Sequence, residues 1–152
     1  MYRSHYLLAM LALLISPCTA EQDTSDAMPA PVAETTIMEL MVATITPATD
    51  TLWGADDPQT DADWQVLDDA AVAVIETFEQ VRNGGGGPND DAWASEARFQ
   101  AYIDEDIAAA EAARAAIAAR DLDALFAAGD ALYSPCENCH IDFNPGVEGE
   151  AQ

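Results

Sequence analysis

The sequence predicts an all-α fold, an antiparallel four-helix bundle, from three observations. Apolar residues recur at spacings of three and four along four long segments, which is the period of a helix with one buried face. No segment shows the alternation of apolar and polar residues that marks a half-buried strand. The length of 152 residues suits one domain with a single modest core.

The first 20 residues have the pattern of a secretory signal peptide. Arg3 gives a short positive start, residues 7–15 are apolar, and small residues at 18–20 favour cleavage before Glu21. The apolar run is too short to cross a membrane as a helix. A lipoprotein signal with Cys18 as the lipidated residue is the weaker alternative, because a proline precedes that cysteine. We therefore expect an exported protein without membrane insertion once the signal is removed.

The first predicted helix follows a tail. Residues 21–33 are rich in Asp, Pro, Ser, Thr and Ala and lack periodicity, so we expect them to be flexible. A helical pattern then runs from about 35 to 55, and Thr36 with Glu39 resembles a capping box. Pro47 falls inside this pattern and should kink the helix or divide it. The apolar face consists of Ile37, Met38, Met41, Val42, Ile45, Leu52 and Trp53.

The second predicted helix, at about 60–82, has the clearest periodicity in the chain. Its apolar seam consists of Trp64, Leu67, Ala71, Val74, Phe78 and Val81. The glycines at 84–87 end this helix. A glycine run can cradle phosphate, but this one lacks a preceding strand and a lysine, and Asp90 and Asp91 follow it. We interpret the run as a flexible loop.

Two further helices complete the predicted domain. The third spans about 90–120, and alanine dominates residues 108–119, which favours helix and a close helix approach. The fourth starts at Asp121, a suitable N-cap or first-turn acid. One face of it carries Leu122, Leu125, Phe126, Gly129, Leu132, Tyr133, Cys136, Cys139 and His140. We place the domain at 34–146, followed by an acidic C-terminal tail at 147–152.

The chemistry of the chain is concentrated in Cys136-Glu137-Asn138-Cys139-His140, a C-x-x-C-H sequence and the attachment motif of c-type haem. Two thiols three positions apart on a helix point the same way, so both can bond the vinyl groups of one porphyrin. The next residue, His140, can reach the iron from the same face. The signal peptide agrees with this interpretation, because haem is attached to such motifs outside the cytoplasm. We therefore expect one covalent haem c on the C-terminal helix, attached through Cys136 and Cys139.

Other uses of the motif fit less well. A structural zinc site needs about four ligands, and after residue 20 the chain has no Cys or His outside the motif. A thioredoxin-like redox pair requires a βαβ setting, which the sequence does not predict. A plain disulfide leaves His140 without a role.

Elimination leaves two alternatives for the second axial position of the iron: a methionine, or no protein ligand. His140 is the only histidine after residue 20, and the chain has no lysine. Methionine is a common partner of histidine on haem iron, and Met38 and Met41 lie one turn apart on the predicted first helix, whereas Met28 lies in the tail. If both are core methionines instead, the iron is five-coordinate, high-spin and open to small gaseous ligands.

From about residue 36 to 146 the sequence resembles the class II c-type cytochromes, which include cytochrome c′ and the low-spin cytochromes c-556. The motifs that carry the resemblance are Leu132-Tyr133-Ser134-Pro135-Cys136-Glu137-Asn138-Cys139-His140-Ile141-Asp142-Phe143, and Glu39-Leu40-Met41 with Pro47, Asp50, Leu52 and Trp53 after it. The resemblance implies that Cys136 and Cys139 form the thioethers, that His140 is the proximal iron ligand and that Met41 is the distal ligand. Met38 does not fit that pattern.

The sequence departs from the family just after the haem motif. The family often has an aromatic residue and then a basic one there, whereas here Phe143 is followed by Asn144. A missing cation near His140 favours the oxidised iron and lowers the potential. The resemblance also suggests a homodimer formed through the first two helices.

These inferences predict a periplasmic electron carrier with a low-spin His/Met-ligated haem, and not an enzyme. The alternative is a five-coordinate, cytochrome c′-like protein that binds small gases such as NO and CO. We expect Trp53, Trp64 and Trp93 to pack in the core or on the haem, and Phe126 and Tyr133 to contact one or the other.

The charge of the chain restricts its partners. The formal charge is −23, and loss of residues 1–20 removes one arginine, which gives 4 − 28 = −24. Such acidity argues against binding to nucleic acid or to an anionic membrane. It predicts an unidentified redox partner with a basic docking surface. The acids are spread over every predicted helix, which indicates a solvated surface and not an acid–base pair.

Overall fold

The computed structural model describes residues 34–144, and within this range the chain is all helical with no strand. The predicted fold class is therefore confirmed at the level of an all-α protein. The expected signal peptide (1–20), flexible tail (21–33) and acidic tail (147–152) lie outside the described residues, as do residues 145 and 146 of the predicted domain.

The first helix is continuous but changes its winding. It consists of α1 (Ile37–Leu40), a π-helical segment (Met41–Ile45) and α2 (Thr46–Trp53). The predicted capping box is present, because the Thr36 hydroxyl accepts the Glu39 N–H at 3.1 Å and the Glu39 carboxylate accepts the Thr36 N–H at 2.8 Å.

Pro47 does not divide the first helix, so that one of the two expectations for this proline was wrong. Proline has no N–H, and its ring crowds the carbonyl four residues earlier. The wider π-helical turn directly before it accommodates the ring, and the Thr46 N–H donates to the carbonyl of Met41, five residues back. Such single π turns interrupt α-helices without ending them and often mark functional sites.

The second long helix, α3 (Asp61–Val81), agrees closely with the sequence pattern. Thr60 and Asp63 form a capping box at its start. The predicted seam residues Leu67, Ala71, Val74, Phe78 and Val81 are all buried, and Trp64 is half-buried. The three-and-four spacing therefore identified the buried face of this helix correctly.

The glycine run after α3 is packed against the start of the first helix, so its interpretation as a flexible loop was wrong. The Gly86 N–H donates to the Thr35 carbonyl at 3.2 Å. A Cβ atom on Gly86 would overlap the backbone carbonyl of Glu34, so a residue with a side chain does not fit this approach. The run is a close backbone contact between two parts of the domain.

The predicted third helix is divided. A short helix α4 (Asp90–Ala94) precedes α5 (Ala97–Ala119), and the extended backbone of Glu96 separates the two. Arg120, in the left-handed conformation with φ 55°, ends α5. Asp121 then caps α6 (Leu122–Phe143) by accepting the Ala124 N–H at 3.0 Å, as its sequence position predicted.

The contacts between helices fix the direction of the first helix relative to α6. Near the start of the first helix, the Ile37 N–H donates to Asp90. The ring of Phe143, at the end of α6, meets Trp93 and Phe99 edge-to-face with centroids 6.3 and 5.2 Å away, which brings the end of α6 to α4 as well. Trp53, at the end of the first helix, donates from its indole N–H to the Gly129 carbonyl at 2.9 Å. The first helix and α6 therefore run in opposite directions.

Helix pairing encloses one apolar core. α5 packs on α3 and α6, α3 packs on the first helix, and α2 packs on α6. The largest fully buried apolar side chains are Val74, Val81, Ile103, Leu125 and Leu132. No helix within residues 34–144 has the length and hydropathy needed to span a membrane.

Candidate functional site

The predicted haem motif lies on the last turns of α6. Cys136 and Cys139 are half-buried free thiols one turn apart, and His140, which follows them, is exposed. The Cys136 thiol donates to the Asp106 carboxylate of α5, with Sγ and Oδ1 3.3 Å apart. The C-x-x-C spacing thus places both sulfur atoms on one side of α6, with the imidazole beside them.

Asp106 is a buried carboxyl group at the centre of this site. Its residue is 1% exposed, and Cys136 is its only hydrogen-bond partner in the part of the chain that the structure describes. Burial raises the pKa of the Asp106 carboxyl to about 7, and the hydrogen bond from Cys136 opposes that shift. The site therefore combines two thiols with a carboxyl group that is poorly solvated in its ionised form.

The same burial affects both cysteines. It raises the pKa of the Cys136 thiol far above its ordinary value and that of Cys139 to about 12, and the negative charge of Asp106 adds to both shifts. A reactive redox pair requires a lowered thiol pKa, so the electrostatics disfavour the thioredoxin-like alternative. Within residues 34–144 no cluster of three or more His, Cys, Asp or Glu residues is arranged to hold a metal ion.

Met41 lies at the same level of the molecule as the haem motif. The contact between Trp53 and Gly129 sets the register of the antiparallel pair. Twelve residues back along the first helix from Trp53 is Met41, and twelve residues forward along α6 from Gly129 is the residue after His140. An α-helix rises about 1.5 Å per residue, and only the π-helical segment Met41–Ile45 departs from that winding, so Met41 and His140 lie at about the same height on the two helices.

The first helix and α6 are packed unevenly at this interface. α2 makes the contact with α6, whereas α1 and the π-helical segment make little contact with it among the described residues. The two helices are thus close near Trp53 and less closely packed at the level of Met41 and His140.

Large apolar side chains are left exposed along the two facing helices. Tyr133, for example, is 57% exposed. The others on these helices are Met38, Val42, Trp53, Phe126 and Ile141. Exposed apolar residues that recur along two neighbouring helices indicate a surface that a ligand or partner covers. Together with two thiols and an imidazole, they fit a porphyrin, which needs covalent anchors, an iron ligand and apolar walls.

The aromatic and methionine predictions have mixed outcomes. Trp64 and Trp93 pack against the core, as expected, but Trp53 is exposed on one side. Phe126 and Tyr133 are exposed and so are not core residues; their expected contact with haem stays a prediction. Met41 is half-buried and packs against the core, whereas Met38 is 54% exposed.

A cation does approach the end of the haem motif, although the sequence there lacks one. Arg98 of α5 forms an ion pair with Asp142, with Nε and Oδ2 2.8 Å apart. Tyr102 joins the pair by donating to Asp142 at 2.7 Å and accepting from Arg98 at 2.9 Å. The expectation that this end of α6 has no cation was therefore wrong, because a neighbouring helix supplies it.

Asp106 was not among the predicted site residues, although the sequence contains a signal for it. The buried residues Phe99, Ile103, Asp106, Ala110, Ala113 and Ile117 follow one another at spacings of four and three. Asp106 therefore occupies a core position of α5, which the surrounding alanine-rich stretch obscured. No local pattern indicates the contact from Arg98 to Asp142, since it joins two helices that are distant in sequence.

Comparison with known proteins gave one match. A family model described as Cytochrome C' matches residues 33–144, which is more than half of the chain. The sequence matches no curated protein and no solved structure.

Proposed function

The chain belongs to the cytochrome c′ family, and we propose that it is a periplasmic c-type cytochrome that carries one electron. In this proposal Cys136 and Cys139 attach one haem as thioethers, His140 is the proximal iron ligand and Met41 is the distal ligand. The helices form an antiparallel four-helix bundle around the site. The observation that carries the proposal is the common level of Met41 and the C-x-x-C-H motif on two antiparallel helices.

Covalent attachment is supported by the donor set. Two neutral thiols on one face of α6 are held half-buried beside an imidazole, and burial raises the pKa of both thiols, led by Cys136. Neither cysteine forms a disulfide. A bond to each vinyl group would secure a cofactor that lies at an open helix interface and not in a closed cavity.

Axial ligation by Met41 is supported by its surroundings as well as by its level. Met41 begins the π-helical segment, and α1 and this segment pack only loosely on α6. Met38 is more exposed and lies one turn closer to the start of the helix. Met41 is therefore the better-placed thioether for an iron held by His140.

The protein environment would then set the properties of the redox centre. When bound, the haem supplies a single iron that changes oxidation state by one electron. Among the exposed apolar side chains of the two facing helices, Val42 and Ile141 lie nearest to the level of Met41 and His140, and they would lower the local dielectric and exclude water. In this proposal haem attachment and iron ligation occupy the two thiols and the imidazole of the site, so we propose an electron carrier and not an enzyme.

A second function is favoured by one observation. Met41 packs against the hydrophobic core, which is also the position of a methionine that only fills space. In that case the iron would be five-coordinate, and the protein would bind small gases such as NO and CO. The two functions differ in whether the side chain of Met41 reaches the iron.

The visible spectrum of the purified haem protein separates them. Methionine ligation gives a sharp low-spin reduced spectrum, a weak far-red band when oxidised, and no rapid change with carbon monoxide. A broad high-spin spectrum that responds to carbon monoxide at once would support the gas-binding function.

Variants assign the ligand. We expect Met41→Ala to convert the low-spin spectrum to a high-spin one, while the matched control Met38→Ala leaves it unchanged. Retention of the low-spin spectrum by Met41→Ala would reject Met41 as the ligand. If mass spectrometry showed no covalently attached haem in the wild-type protein, the proposal as a whole would be rejected.

The acidic surface bears on the partner. Each of the four arginines in the described range forms an ion pair within the chain, so the surplus of acids is left to interact with other molecules. We propose a redox partner with a basic docking surface, whose association slows as ionic strength rises.

A further inference from the structure

Asp106 is a buried acid that the proposed electron transfer does not use. It lies on the core face of α5 with 1% of its surface exposed. A carboxylate taken out of water needs a cation or several donors to stay ionised, and here the Cys136 thiol is its only described hydrogen-bond partner, at 3.3 Å.

No cation in the described range is free to pair with Asp106. The four arginines are bound elsewhere, to Asp104 and Glu79, to Asp142, to Asp68 and to Asp61. The chain has no lysine.

The groups that face Asp106 leave it unbalanced. From α6 they are Cys136 and Cys139, both neutral, and from its own helix Glu105, whose negative charge adds to its destabilisation. The ion pairs that join α3 and α5 set a register in which Phe78 lies opposite Asp106. α3 therefore presents an apolar side chain, and not a charge, at this level.

Attachment of a porphyrin at Cys136 removes the one described donor to this carboxyl group. When a thiol adds to a vinyl group, the S–H bond breaks, an S–C bond forms, and the hydrogen is transferred to the other vinyl carbon. The thioether that results has no hydrogen to donate. Asp106 would then be a buried carboxyl group beside a sulfur atom that is bonded to the redox cofactor. No other described group donates a hydrogen bond to this carboxyl.

We propose that Asp106 is a redox-linked proton site, whose carboxylate takes up one proton from solvent when the protein accepts one electron from its redox partner. This inference rests on the proposed function. Reduction adds one negative charge near the carboxyl group, and in a poorly solvated site that charge favours the neutral acid. Proton uptake compensates the electron, so the protein exchanges a neutral pair, one electron with one proton, with its surroundings.

The direction of the pH effect follows from this linkage. The pKa of Asp106 is already raised to about 7 by burial while the Cys136 thiol opposes the shift, so loss of that donor moves the pKa higher. Where the reduced protein holds a proton that the oxidised protein has lost, the reduction equilibrium falls tenfold for each unit of pH. This corresponds to about 59 mV per pH unit for one electron.

The test is the midpoint potential of the haem protein as a function of pH. We expect a wild-type slope approaching that value over a window that begins near neutral pH, and a flat profile over the same window in Asp106→Asn. Glu111→Gln, which removes an exposed charge further along the same helix, is the matched control and should keep the wild-type slope. Circular dichroism and the haem spectrum verify that each variant is folded.

A second readout detects the proton directly. In the infrared difference spectrum between reduced and oxidised wild-type protein, a protonated carboxyl band should appear on reduction, shift in heavy water and disappear in Asp106→Asn. A wild-type slope in Asp106→Asn, or wild-type protein without the carboxyl band, would overturn the inference, and the pH dependence would then belong to another group such as the haem propionates. Purified protein without covalent haem would instead overturn the proposed function.

Discussion

Asp90 is predicted to fasten the helix that carries Met41, and its removal should be costly. Its residue is 4% exposed. One carboxylate oxygen accepts the Ile37 N–H at 2.8 Å and the Gly87 N–H at 2.9 Å. The first of these is among the N–H groups at the start of a helix that have no partner within the helix. Asp90 therefore caps the first helix from a position 53 residues away in sequence.

The magnitude follows from the two donors that Asp90→Ala would leave without a partner. A buried donor that loses its acceptor costs about 1–3 kcal/mol. The Ile37 N–H is buried and the Gly87 N–H is only partly buried, so the two together should lower the free energy of unfolding by about 2–4 kcal/mol. That is a large part of the roughly 5–15 kcal/mol that stabilises a typical domain. Asp90→Asn keeps an acceptor oxygen but loses its charge, and should cost about half as much.

Urea unfolding of the haem protein, followed by circular dichroism, measures this cost. The matched control is Asp91→Ala, which removes an exposed acid from the same short helix and should change the free energy of unfolding by no more than about 0.5 kcal/mol. If Asp90→Ala cost no more than Asp91→Ala, the buried carboxylate would not fasten the helix. Met41 lies one turn after the start of α1, so loosening this helix end should weaken the proposed bond between Met41 and the iron. We therefore also expect Asp90→Ala to reduce the low-spin fraction of the haem.

Three further perturbations test other contacts. Gly86→Ala places a Cβ against the Glu34 carbonyl and should lower the thermal midpoint; an unchanged midpoint would mean that the glycine run is not packed there. Trp53→Phe removes the indole donor to Gly129 and should cost about 1 kcal/mol in urea unfolding, and a neutral result would contradict that hydrogen bond. Relative to wild type, Asp106→Asn should become progressively more stable between about pH 4 and pH 7. In this range the Asp106 carboxyl ionises in the unfolded chain, where its pKa is the ordinary 3.8, but stays protonated in the folded protein, where burial raises its pKa to about 7. A shift of one pKa unit corresponds to about 1.36 kcal/mol, so the free energy of unfolding should rise by at most about 4 kcal/mol. Urea unfolding at several pH values measures this difference, and a difference between the two proteins that did not change with pH would refute the raised pKa.

The helices were predictable because their signals are local. The seam from Leu67 to Val81 is a repeated spacing within one segment, and the caps at Thr36 and Asp121 precede the helices that they start. The motif at the end of α6 is equally local, since five consecutive residues contain both thiols and the imidazole. Predictions that depended on a repeated spacing, a cap or a motif within one segment were therefore accurate.

Two of the predictions that failed concerned contacts between segments. The glycine run looked flexible because its composition is the composition of linkers, but Asp90 and the backbone of Thr35 hold it in place. The cation near the end of α6 was judged absent because only the residues after the motif were considered, whereas Arg98 reaches Asp142 from another helix. Such contacts depend on how helices pack, which spacing within one helix does not determine.

The distribution of charge gives Asp106 its significance. This chain is strongly acidic, and the four arginines in the described range form ion pairs with acids other than Asp106. An apolar residue at the same core position would avoid the cost of burying a carboxyl group, as the alanines that follow it on the same face of α5 do. Strongly perturbed acids of this kind are concentrated at functional sites. A core acid that contacts one of the two proposed haem-attachment residues, and no cation in the described range, does not serve the stability of the bundle, which agrees with the proposed proton exchange at this site.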